Sequence, residues 1–175
     1  MSDTPATPRP SHLFKRLPPD RRLRAAEAFW QDENAGVEQA DATAAIAQRI
    51  RFRLKSVHAM PLDKKVRQLL ALPAVSEAVA VRLLVAYHLD HQRAMMGRFL
   101  DALGIAHENG LIADENLTAP PADRLRAAAE TLASSFPADE VSLYFSTLLW
   151  QDSETWGGLA DLPQLSESSP APQRS

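Results

Sequence analysis

The segment SEAVAVRLLVAYHLDHQRAMMGRFLDAL, residues 76–103, consists almost entirely of good helix formers and is apolar on nearly every side in its first half. A helix that is apolar all round belongs at the centre of a bundle. Because only Gly97 interrupts the pattern, the sequence predicts one continuous helix with Leu84 fully buried. Gly104 followed by Ile105 predicts a left-handed C-terminal cap with its apolar contact.

The rest of the chain shows helical periodicity on both sides of this segment, and several of the predicted helices begin at a proline, which is favoured in a first helical turn. The predicted helices cover residues 19–33, 37–57, 61–70, 121–136 and 138–151. Residues 49–55 also alternate like a strand, but a lone strand has no partner for its backbone groups. The predicted fold is therefore all-α, a compact bundle of six or seven helices around a central apolar helix at about 76–103.

Length and proline distribution predict the domain organisation. The chain has 175 residues, enough for one domain with a real core and short of two. Proline-rich ends predict disordered tails at 1–18 and 163–175, with a single helical domain over 19–162. Trp156, Leu159 and Leu162 predict a segment that docks on the body before the second tail. Residues 18–28 resemble residues 120–130, which raises an ancient duplication as a hypothesis.

Composition excludes several functions. The net charge of −3 argues against a protein built mainly to hold nucleic acid or anionic lipid, and the absence of cysteine excludes disulfides, thiol catalysis and thiolate metal sites. The N-terminus is polar and proline-rich, unlike a signal peptide, and no run approaches 18 apolar residues. We expect a cytoplasmic protein that does not enter membranes. No glycine-rich phosphate loop and no Gly-x-Ser-x-Gly elbow occurs.

Four residues form the candidate catalytic or metal cluster. His88 and His91 are three residues apart and share a stripe with Leu84 and Met95 if the helix is continuous. His107 and Glu108 follow its end. Two imidazoles at this spacing can chelate a divalent metal, but no complete zinc or di-iron motif is present. We therefore expect no metal and no cofactor, and the alternative is a metal-dependent or acid–base enzyme that uses His88, His91, His107 and Glu108.

Residues 72–80, LPAVSEAVA, resemble the helix-hairpin-helix of DNA-repair proteins, whose hairpin reads Leu-Pro-Gly-Val-Gly. In this chain Ala74 and Ser76 occupy the two glycine positions. Those glycines let backbone amides approach a phosphate. Because both are replaced, we expect a plain connection between two helices.

Charge is distributed unevenly along the chain. Residues 49–67, the basic arm, contain seven basic residues against Asp63, a net charge of +6, while residues 127–173 contain seven acidic residues and no Lys or Arg. The candidate binding residues are Arg49, Arg51, Arg53, Lys55, Lys64, Lys65 and Arg67. Two solvated faces of opposite sign, a self-complementary surface and a charged partner all fit this pattern.

Three hypotheses about function follow from these observations. The first is a non-enzymatic protein-interaction or self-associating module, with a homodimer as one form and a protein or a second copy as the partner. The second is the histidine-based enzyme. The third is a nucleic-acid adaptor that uses the basic arm, which the net charge makes the weakest of the three.

Overall fold

A computed structural model describes residues 7–166, and it is 72% helical with almost no sheet, which confirms the all-α prediction. It contains eleven α-helices rather than six or seven, because two predicted helices are each divided in two, two short helices follow residue 152, and one helix forms before residue 17. The α-helices are α1 (Pro10–Arg16), α2 (Pro19–Gln31), α3 (Gly36–Ile50), α4 (Leu54–His58), α5 (Leu62–Leu70), α6 (Glu77–His91), α7 (Arg93–Leu103), α8 (Ala122–Ser135), α9 (Ala138–Gln151), α10 (Ser153–Trp156) and α11 (Pro163–Ser166). A 3-10 helix covers Gly157–Asp161, and a two-residue hairpin pairs β1 (His107–Glu108) with β2 (Leu111–Ile112).

Residues 19–162, expected to form one domain, fall into two compact units that meet in sequence after His91. The N-terminal unit is Arg9–His91, and the C-terminal unit comprises, among the described residues, 92–166 together with 7 and 8. The similar stretches 18–28 and 120–130 begin α2 in one unit and α8 in the other. Their duplication stays a prediction.

In the N-terminal unit, α6 is the central helix and contacts α1, α2 and α3. Its buried side chains surround the helix axis, and Leu83, Leu84 and Tyr87 are fully enclosed. The prediction that Leu84 is buried is confirmed. A helix that packs on several neighbours at once needs apolar residues on most of its circumference, which is the pattern that the sequence shows.

The single helix predicted over 76–103 is wrong at its middle. The chain leaves helical geometry at Gln92 (φ −125°, ψ 25°), and α7 begins its own hydrogen-bond ladder with Met96 N–H donating to the Gln92 carbonyl at 2.9 Å. Helix propensity specifies no break here, since Gln92 is a good helix former. The break separates residues buried in one unit from Met95 and Phe99, which are buried in the other.

The predicted N-terminal tail, residues 1–18, is wrong where α1 forms. Phe14 is buried, and α1 contacts α6. The Ser11 amide and hydroxyl both donate to the Glu77 carboxylate, at 3.0 and 2.8 Å. Burial of an aromatic ring and two charge-assisted hydrogen bonds offset the entropy that ordering a proline-rich segment costs. The predicted tail positions 1–6 and 167–175 lie outside the described residues.

The C-terminal unit is built on α7, α8 and α9, with the short helices after residue 151 packed against α8 and α9. Trp156, Leu159 and Leu162 are buried, as predicted for a docking segment. Gly104 has φ +70°, and Ile105 N–H donates to the Leu100 carbonyl at 2.9 Å, so the predicted left-handed cap is confirmed. Among residues 7–166, no helix is both long enough and apolar enough to cross a membrane.

Candidate protein-interaction site

The seven predicted binding residues all belong to the N-terminal unit, where they lie on α3, α4, α5 and the link between α3 and α4. Six of them are exposed and Lys65 is half-buried. The set comprises Arg49, Arg51, Arg53, Lys55, Lys64, Lys65 and Arg67.

The predicted helix 37–57 ends at Ile50 because Arg51 adopts the left-handed conformation (φ 57°, ψ 40°). Phe52 N–H then donates to the Ala47 carbonyl at 3.0 Å, which closes a Schellman-type cap. Arg53 is extended and begins α4. The prediction of a continuous helix is therefore wrong for this stretch, and the strand that was rejected from the sequence does not form either. The new direction of α4 buries Val57 completely and leaves Phe52 54% exposed.

A cleft of about 400 Å³ opens next to this link. Its apolar side chains are Ile50, Phe52 and Met60, and its cations are Lys64 and Arg67. Gln68 completes the lining, and its buried Oε1 has no hydrogen-bond partner among the described residues. A buried carbonyl oxygen without a donor costs free energy. We call these six residues the cleft.

Most cations of the basic arm have no acidic neighbour. Within residues 7–166, no carboxylate lies at ion-pair distance from five of them, Arg49, Arg51, Arg53, Lys55 and Lys64. Arg67 pairs with Asp63 at 2.9 Å, but both side chains are largely exposed, and such a pair contributes at most about 1 kcal/mol. Lys65 lies over the Trp30 ring, 5.4 Å from its centroid. Lys65 therefore supports the fold, while the other six cations face solvent.

The basic arm also contains three of the five large apolar side chains that the N-terminal unit exposes, namely Phe52, Leu54 and Leu62. Leu54 is 58% exposed, whereas Val57, one turn further along α4, is fully buried. An aromatic ring and aliphatic side chains surrounded by arginines form the composition that protein interfaces favour.

Comparisons with protein-family models, with curated proteins and with solved structures find no match to this chain.

The predicted histidine cluster divides between the two units. His88 and His91 end α6 in the N-terminal unit, where His88 is buried against the Tyr87 ring. His91 Nε2 lies 3.2 Å from the Asp90 carboxylate, which also has Arg24 at 3.3 Å. The stripe predicted to include Met95 ends with α6, because Met95 belongs to α7.

His107, in the C-terminal unit, holds the hairpin together. Its Nδ1 accepts the Gly110 N–H at 3.1 Å, and its Nε2 lies 2.8 Å from Asp101 Oδ1. The first bond requires an unprotonated Nδ1, so Nε2 bears the hydrogen and donates it to the carboxylate. Because both ring nitrogens are engaged, neither is open to act as a base on a substrate in this arrangement. Glu108 is exposed and takes no part in the pair.

A second cavity, about 450 Å³, adjoins this histidine and includes Arg93 and Arg98 in its lining. Arg93 donates to the Asn109 carbonyl at 2.9 Å, and Arg98 donates to the Ser135 hydroxyl at 3.3 Å. These polar groups are occupied in supporting the turn and α8. In the part of the chain that the structure describes, no three His, Asp or Glu side chains are grouped to hold a metal ion.

The segment that resembles a helix-hairpin-helix, residues 72–80, forms most of the link between α5 and α6 and the first turn of α6. The Ser76 hydroxyl accepts the Val79 N–H at 3.2 Å and donates to the Asp41 carboxylate at 2.6 Å. Two carboxylates, Asp41 and Glu77, lie at this helix start, and they disfavour a phosphate group there. This is the plain helix connection that the missing glycines predicted.

The acidic stretch belongs to the C-terminal unit, so the two units differ in charge. Arg9–His91 contains fourteen Lys and Arg against nine Asp and Glu, a net of +5. Residues 92–166 contain four against eleven, a net of −7. One of the acids, Asp152, caps α10 and accepts the Thr155 hydroxyl at 2.6 Å. Hydrogen bonds, first from that hydroxyl and then from the Thr155 amide, lower the pKa of Asp152.

The sequence prediction found the cations of the site and missed its apolar half. Ile50, Phe52, Met60 and Gln68 line the cleft but were not among the candidates. The signal was present in residues 49–55, where apolar and basic residues alternate. Alternation cannot place all the apolar residues on one face of a helix, so some had to remain at the surface.

Proposed function

We propose that this protein is a non-enzymatic protein-interaction module, and that the basic arm and its cleft bind an acidic, partly apolar segment of another protein chain. The observation that supports this most is the combination of five unpaired cations with an apolar cleft beside them. Unpaired cations attract carboxylates from a distance, and the apolar lining gives an aliphatic side chain a place to bury.

The aliphatic lining favours a protein over a nucleic acid. A phosphate backbone is bound by cations and hydrogen-bond donors, and bases by stacking on aromatic rings. Phe52 could stack on a base, but Ile50 and Met60 offer neither charge nor a flat ring. Leu54 and Leu62 are further exposed aliphatic side chains of the basic arm. The proposed setting is the cytoplasm. Exported proteins are often stabilised by disulfide bonds, and this chain has no cysteine that could form one.

A pair of synthetic peptides tests the proposal. One contains two adjacent leucines flanked by glutamates, and the other has glutamine in place of every glutamate. Fluorescence anisotropy should show that the full-length protein binds the acidic peptide about tenfold or more tightly than the neutral one, a difference of about 1.4 kcal/mol or more. An oligo-dT of matched charge serves as the nucleic-acid probe, and we expect weaker binding to it.

Two charge-reversed variants locate the site. Lys64→Glu with Arg67→Glu should abolish binding of the acidic peptide, because both cations line the cleft. Arg124→Glu with Arg126→Glu changes the net charge equally on the exposed surface of α8 and should leave binding unchanged. Equal loss in both double variants would show that only net charge matters. Tighter binding of oligo-dT than of the acidic peptide, falling steeply with salt, would favour a nucleic-acid adaptor instead.

A further inference from the structure

We infer that the ligand of the cleft is a second copy of this chain, which inserts its β1–β2 hairpin. This inference rests on the proposed function, because it names the partner of the same site. The acidic hairpin, residues 107–115, contains Glu108, Asp114 and Glu115 and no Lys or Arg, so its charge is −3 with His107 neutral. An acidic segment with exposed aliphatic side chains is the chemistry that the cleft requires.

The hairpin presents those side chains outward. Leu111 pairs with Glu108 across the strands, and cross-strand partners point to the same face. The other face carries His107, whose ring lies where a Cβ on Gly97 would touch it at 3.2 Å, so that face is turned to α7. Leu111 is accordingly 49% exposed, next to the exposed side chain of Glu108.

The turn gives the hairpin a fixed shape. Asn109 and Gly110 both have positive φ, 51° and 88°, as a type I′ turn requires. Arg93 donates to the Asn109 carbonyl, and His107 accepts the Gly110 amide. A rigid ligand loses little conformational entropy when it binds, so a small contact can still be specific.

The charge and the apolar character of the two surfaces are therefore complementary. Leu111 is suited to the apolar lining formed by Ile50 and Met60, while the carboxylates of the hairpin suit Lys64 and Arg67 at its rim. When the hairpin of one copy binds the cleft of another, one cleft and one hairpin remain unoccupied in the pair. Further copies can therefore bind, unless the two copies bind each other reciprocally.

Complementation between two variants of the full chain tests the inference. The cleft variant is Lys64→Glu with Arg67→Glu, and the hairpin variant is Leu111→Lys with Glu115→Lys. Each variant retains one intact surface. Light scattering at about 100 μM and low salt should give each variant alone the monomer mass of 19.2 kDa, and their equimolar mixture about twice that mass. The wild type should exceed 19.2 kDa and return to it at about 1 M salt, where charges are screened beyond about 3 Å.

A control and two contrary outcomes complete the test. Glu130→Lys with Asp161→Lys reverses two exposed acids elsewhere in the C-terminal unit and should associate like the wild type. A wild type that remains at 19.2 kDa up to about 1 mM would overturn the inference, as would a variant mixture that stays monomeric. If the acidic peptide still binds the cleft in either case, the proposed function survives. If it does not bind either, both fall.

Discussion

Arg51→Gly is a substitution for which a continuous helix and the observed chain predict opposite signs. Arg51 has φ 57°, and an L-residue in this conformation costs roughly 1–2 kcal/mol relative to the right-handed region. Glycine removes that cost but loses about 0.5–1 kcal/mol more backbone entropy on folding. The net expectation is a stabilisation of about 0.5–1 kcal/mol. In the interior of a helix over 37–57, glycine would instead destabilise by about 1 kcal/mol relative to alanine.

Urea unfolding monitored by circular dichroism measures the difference, with the slope of the transition checked for constancy between variants. Arg49→Gly is the matched control, because it removes the same charge from an exposed position inside α3. It should destabilise by up to about 1 kcal/mol. Loss of stability in Arg51→Gly comparable to that in Arg49→Gly would refute the left-handed cap and restore the continuous helix.

The same variant also separates stability from binding. Arg51 is one of the unpaired cations of the basic arm, so its loss should weaken binding of the acidic peptide while the protein becomes more stable. A residue that breaks a local backbone preference without a compensating contact in its own chain is expected at a functional position. Arg51→Asn, which also tolerates the left-handed conformation, should show the same two effects with a smaller gain in stability.

Two further predictions concern stability. Leu84→Ala should lower the free energy of unfolding in urea by about 2–5 kcal/mol, because the side chain is fully buried. Leu23→Ala, at a position 42% exposed in the same unit, should lower it much less. A loss under about 1 kcal/mol for Leu84→Ala would place α6 away from the core. The lowered pKa of Asp152 means that its ionised form stabilises the fold above its ordinary pKa of about 3.9 and that this contribution is lost as pH falls through the lowered value. The difference in melting temperature between wild type and Asp152→Asn should therefore be constant from neutral pH to about 5 and shrink below about 4, and a difference that stays the same down to pH 3 would contradict the hydrogen bonds to Thr155.

The sequence alone predicted the cations of the candidate site but not their surroundings. A run of seven cations is visible in the printed chain, since charge is a property of each residue alone. Whether a cation has a carboxylate partner depends on which acidic residues the fold brings close to it. Asp63, for example, lies close enough to pair with Arg67. The role of His107 could not be predicted from the sequence either. Its spacing suggested a cluster with Glu108, whereas in the folded chain its ring nitrogens hydrogen-bond to Asp101 and to the Gly110 amide.

Local chemistry determined the elements that the sequence predicted correctly. Gly104 ends α7 because glycine enters the left-handed region without steric cost. The apolar circumference of α6 required a central position, which Leu84 confirms. The prolines before α2, α5, α8 and α9 mark helix starts within two residues.

Only the tertiary structure decided where two otherwise helical stretches break. Neither Arg51 nor Gln92 is a residue that ends helices, and both lie among good helix formers. A difference of a few tenths of a kcal/mol in propensity is smaller than the gain from burying one large side chain, about 1.5–3 kcal/mol. The breaks therefore occur where they let Val57 and Met95 reach their own cores. Burial depends on distant partners in three dimensions, and a local reading of the sequence does not contain them.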